Sequence, residues 1–127
     1  MQIEGITWHA SVVDKASFDS MRTLTIETLG LDPMMEFPGV AVFAMPNGSI
    51  FELYEKGSEM VPPYGYNEGG IAFGFRVDDI EAASAQLEAA GAEILGDIQR
   101  ADFGGRPYAY RHFRGTDGNV YGLNQLG

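Results

Sequence analysis

The feature that most constrains this chain is a turn-and-strand motif that occurs twice, as Pro46-Asn47-Gly48-Ser49-Ile50-Phe51-Glu52-Leu53 and again, 70 residues on, as Thr116-Asp117-Gly118-Asn119-Val120-Tyr121-Gly122-Leu123. Asn-Gly and Asp-Gly supply a residue that tolerates positive φ, and each turn runs straight into an apolar-rich strand. Two equivalent strands imply two equivalent modules within 127 residues, a length that suits one domain with its own core. The copies differ at a position that bears on function, where Glu52 is matched by Gly122.

The rest of the chain can be laid around that repeat. Residues 6 to 13 alternate with period two and predict a half-buried strand, with Ile6, Trp8, Ala10 and Val12 on one face and Thr7, His9 and Ser11 on the other. Asp14 caps a helix carrying Phe18, Met21, Leu24, Thr25 and Thr28, which Leu29-Gly30-Leu31 stops. A connection follows from Asp32-Pro33, then two strands joined by the first copy of the turn. Residues 57 to 69 concentrate Gly and Pro and read as a linker. The pattern then restarts, with Ile71, Phe73, Phe75 and Val77 on the buried face of a strand. Asp78 or Asp79 caps a helix with a stripe of Ile80, Ala83, Leu87 and Ala90, closed by Gly91. Strands over 93 to 100, 107 to 114 and 119 to 125 complete the set, with Phe103-Gly104-Gly105-Arg106 as a loop between the first two. The expected organisation is a single domain over 1–127, with module one at about 5–56, the linker at about 57–69 and module two at about 70–126.

Charge narrows the partners. Eighteen acidic against eight basic side chains give a net charge of −10, which opposes binding to nucleic acid and to anionic membrane surfaces. Without cysteine the chain has no disulfide and no thiolate nucleophile, so a metal would need His, Asp, Glu or carbonyl ligands. No basic segment leads into an apolar core at the start, and no apolar run of about 18 residues occurs, so the expected location is the cytoplasm.

The duplicated strand-helix-strands unit resembles the vicinal oxygen chelate superfamily, which includes glyoxalase I, extradiol dioxygenases and bleomycin resistance proteins. The likeness is carried by Val12-Val13-Asp14, Leu29-Gly30-Leu31, Asn47 to Leu53, Val77-Asp78, Ala90-Gly91 and above all His112 to Leu123, which is similar to the family's Phe-x-Asp-Pro-Asp-Gly-Asn-x-x-Glu-Leu ending. The resemblance implies an α+β fold of two βαβββ modules forming an open, cupped mixed β-sheet barrel with helices outside. It also implies a small organic molecule as partner, and a homodimer. Metal-dependent members place ligands at four strand positions that fall here on Thr7, Glu52, Ala72 and Gly122. Only Glu52 is a ligand, so the usual metal site is absent and no cofactor is expected, although a divalent metal on His9, Glu52 and His112 stays open as an alternative.

The same positions read as a binding cavity. Ala72, Gly74 and Gly122 are small where ligands would be large, which would open volume, while Tyr108, Tyr110 and His112 share one strand face and could line it with rings. The bland reading puts those rings against a helix as core. Glu52 would serve as counter-ion to a cationic ligand or, with burial, as a general base, and Tyr54 two residues on shares its ambiguity. Arg106 is expected to be solvated. The leading expectation is therefore a small-molecule-binding protein like the bleomycin resistance branch. The alternative is a glyoxalase- or dioxygenase-like enzyme, a lyase or isomerase, using Glu52 as base or an atypical metal site.

Overall fold

The computed structural model describes residues 1–103 and 105–127, Phe103 through its backbone alone. The chain runs β1 (Ile3–Val13), α1 (Lys15–Thr23), a π-helical turn (Leu24–Thr28), β2 (Pro33–Phe37), β3 (Val40–Ala44), β4 (Ile50–Glu55), β5 (Ile71–Val77), α2 (Ile80–Ala89), β6 (Glu93–Phe103), β7 (Arg106–Arg114) and β8 (Val120–Leu126). This is the α+β plan of two βαβββ modules.

Local chemistry explains both helices. Asp14 accepts from the Ser17 amide at 2.8 Å, and Asp79 accepts from the amides of Glu81 and Ala82 at 3.1 and 3.0 Å, so each first turn has part of its orphan donors satisfied by its cap. The threonine-rich end of the first helix changes character: Thr25 turns its hydroxyl back to the Met21 carbonyl at 2.8 Å, and the ladder widens into the π turn. Gly30, at φ +73°, then ends it.

The stretch expected to be only a connection contains β2. Its Pro33 stands at the first position, where a missing N–H is tolerated, and a register shift follows between Pro33 and Met35. Phe103 closes β6 and Arg106 opens β7, so both ends of the expected loop belong to strands; Gly104 lies outside the described residues.

The chain forms two compact units, one of Met1–Trp8 with Phe73–Gly127 and the other of His9–Ala72. In the first unit the strand order is β1-β5-β8-β7-β6, with β5 and β8 parallel and β6, β7 and β8 antiparallel. Its core gathers Val77, Ile80, Ala83, Ala109, Phe113 and Leu123 beneath α2. In the second unit the order is β2-β3-β4-β1, and Phe18, Ala41, Phe43 and Leu53 form the core against α1. Full burial of a side chain such as Phe43 or Leu53 contributes roughly 1.5–3 kcal/mol. Both faces of β5 are occupied, for Ala72 and Gly74 are as buried as Val77. Two expected core residues differ: Ile6 is 50% and Ile71 61% exposed.

Candidate functional site

In the first unit, β7 alternates. Ala109 and Phe113 join the core under α2, so Tyr108, Tyr110 and His112 project from the opposite face. Their rings form a row: Tyr108 to Tyr110 at 5.9 Å between centroids, Tyr110 to His112 at 6.1 Å, and His112 to Trp8 at 5.1 Å. Core packing against the helix is therefore not what these tyrosines do. Tyr110 is 38% exposed, whereas His112 is buried, and that burial pushes its imidazole down to about 4, so the ring is neutral near pH 7.

The glycines of this face serve a purpose other than the expected opening of volume. A Cβ on Gly122 would lie 2.8 Å from the Trp8 ring, and one on Gly74 would lie 2.7 Å from the Gly122 carbonyl oxygen. Trp8 occupies the space that Gly122 vacates, and Gly74 permits close approach of β5 to β8. Beside them Thr7 donates its hydroxyl to Asn124 Oδ1 at 3.0 Å, both residues buried.

In the second unit, Phe51 and Leu53 pack toward α1, so Glu52 and Tyr54 occupy the other face of β4, paired in register with Val42 and Val40. Tyr54 meets Tyr66 with ring centroids 5.9 Å apart. Burial raises the Tyr66 phenol far above its ordinary range, and Tyr54, Glu52 and Tyr64 push it the same way, so a carboxylate and three phenols share this neighbourhood. His9 is exposed and Ala72 fully buried.

The donor set does not fit the superfamily's metal. Thr7 has committed its hydroxyl, Ala72 offers nothing, and Trp8 fills the place where a side chain at 122 would begin. Among the described residues no three His, Cys, Asp or Glu groups come together to hold a metal ion.

Sequence reasoning missed Trp8, Asn124 and Tyr66. A polar residue inside an otherwise buried last strand was the available signal for Asn124; Tyr66 sits in a stretch with no period to read. Arg106 is exposed, and its Nε donates to the Gly127 carbonyl at 3.0 Å, so it ties down the C-terminus. No described helix is long and apolar enough to cross a membrane.

The model of the Glyoxalase/Bleomycin resistance protein/Dioxygenase superfamily matches residues 18–122. No curated protein matches the chain in sequence. Solved structures share its fold at low identity. The Mn(II)-bound glyoxalase from Novosphingobium aromaticivorans superposes with a TM-score of 0.73 at 17% identity, covering 99% of this chain and 41% of that one. Methylmalonyl-CoA epimerase from Mycobacterium tuberculosis gives 0.66 at 18% identity over 98% of this chain and 89% of its own. A superfamily member from Vibrio splendidus 12B01 gives 0.57 at 17% identity, over 99% and 100%.

Proposed function

This chain belongs to the glyoxalase/bleomycin resistance protein/dioxygenase superfamily, and within it we propose a small-molecule-binding protein of the bleomycin-resistance type that holds an uncharged or cationic aromatic ligand without the usual metal. The observation that carries this reading is the row of rings from Trp8 through His112 and Tyr110 to Tyr108, on the sheet face turned away from α2. Rings at such spacing offer stacking faces, and hydroxyl tips add polar contacts. Binding needs affinity alone, and no step here calls for a Lewis acid.

The test is titration with planar aromatic probes, followed through the fluorescence of Trp8, the chain's single tryptophan. Tyr110→Ala is expected to weaken binding about tenfold, in line with the loss of one stacking partner. Unchanged affinity in Tyr110→Ala and Tyr108→Ala overturns the reading.

A second reading, an enzyme of the lyase or isomerase kind with Glu52 as base, is favoured by the phenols of Tyr54 and Tyr66 around that carboxylate. Stoichiometric transition metal in purified protein, lost in both Glu52→Ala and His9→Ala, would support a metal-dependent form of it and defeat the metal-free binder. A homodimer is part of the proposal, supported by exposed Met34, Met35 and Phe37 on β2, an end strand of its unit.

A further inference from the structure

Asn124 is 1% exposed, and the two ends of its side-chain amide are treated differently. Oδ1 accepts from Thr7, while Nδ2 is buried with no hydrogen-bond partner among the described residues. Leaving such a donor unsatisfied costs roughly 1–3 kcal/mol, a cost that a leucine of similar size would avoid. Its place in the sheet gives that orphan donor a context. Asn124 is the register partner of Tyr110 on one side and of Arg76 on the other, and the next row along the same face is Gly74, Gly122 and His112. The amide therefore lies in the floor beside the row of rings, next to the ring that is most open to solvent.

We propose that Asn124 is the selecting residue of this ring-lined face, donating Nδ2–H to a carbonyl oxygen of an uncharged aromatic ligand stacked along Tyr110 and Tyr108. A neutral carbonyl oxygen is a sufficient acceptor for an amide donor, and the chain's net charge of −10 disfavours anionic ligands. Thr7 donates its hydroxyl to Oδ1, which anchors the side chain in the orientation that leaves Nδ2 for the ligand. The inference rests on the ring row being a binding surface, and it adds the chemical class of what binds there.

The test uses the whole chain, isotope-labelled for amide NMR, and two probes of similar size: acetylnaphthalene, which carries a carbonyl, and ethylnaphthalene, which does not. Acetylnaphthalene is expected to bind about tenfold more tightly and to shift the Asn124 side-chain amide signals, identified by their loss in Asn124→Leu. In Asn124→Leu the preference should be lost, the ratio of the two affinities falling to about one. Equal affinity for the two probes, with the Asn124 signals unmoved, overturns the role of Asn124 while the ring-row reading stands. Failure of both probes to bind near Tyr110 overturns the two together. A crystal of the acetylnaphthalene complex with an ordered water on Nδ2, and the carbonyl elsewhere, also overturns the assignment.

Discussion

The two copies of the turn are nearly superposable in their bonding, yet the strands that leave them have gone different ways. Gly48 and Gly118 both sit at φ +84°. Asn47 accepts from the Ser49 amide at 2.9 Å and Asp117 from the Asn119 amide at 2.9 Å. The closing bonds match as well, Met45 N–H to Ser49 carbonyl and Gly115 N–H to Asn119 carbonyl, each 2.8 Å. Four residues past each turn glycine, one strand presents Glu52 beside Tyr54 and the other presents Gly122 beneath Trp8. Turn chemistry is local, so few sequences satisfy it and the copies stay alike. What fills the strand face is decided by neighbours distant in sequence, so that position was free to diverge.

The sharpest way to break this comparison is to empty the space over Gly122. Trp8→Ala should destabilise the protein by about 3–5 kcal/mol, the range for a buried large aromatic, read by urea unfolding. A loss under about 1 kcal/mol would mean that Trp8 is not the occupant of that space.

Next in size is a pH effect carried by the buried ring of His112. His112 titrates near 6.5 when unfolded and about 4 when folded, so below 6.5 the unfolded chain binds more protons. Stability attributable to this ring is full above pH 6.5 and falls as pH drops toward 4, by about 3 kcal/mol in total. His112→Phe should remove that slope from unfolding curves taken across the window.

Making the strands more alike should hurt in one direction. Gly122→Ala forces a Cβ against the Trp8 ring and should cost about 1–3 kcal/mol. Combined with Trp8→Ala its cost should shrink, a coupling that a double-mutant cycle of unfolding energies would read. The smallest effect tests the shared part: Gly48→Ala and Gly118→Ala, both at positive φ, should each cost about 1–2 kcal/mol and agree with one another. Unequal turns would mean that the repeat is less exact than its hydrogen bonds indicate.

The duplication, both helices, their caps and most strands were legible because each depends on residues close together: Asp79 over its own first turn, Gly91 at φ +100° after α2, the Asn-Gly and Asp-Gly pairs. β2 was not, since Pro33-Met34-Met35-Glu36-Phe37 is a short strand at the end of its unit's order, with a shifted register and little alternation to read. The ring row was legible as a face of β7 but its direction was not, because period two says which residues go together and not which side meets the helix. The purpose of Gly122 was misread for a related reason. A missing side chain opens a space, and only the fold reveals that Trp8 fills it.

Strand β1 carries one more implication, which concerns the order of synthesis. Its first residues belong with Phe73–Gly127, and the Thr7–Asn124 bond spans 117 residues. Leaving the ribosome, Trp8 emerges long before His112 and Gly122, the late residues it packs against. The unit of His9–Ala72 has no such wait. A circular permutant opened in the 57–69 segment, with the old ends joined, would make Trp8 and Gly122 near neighbours in sequence. It should fold faster if that late closure sets the pace.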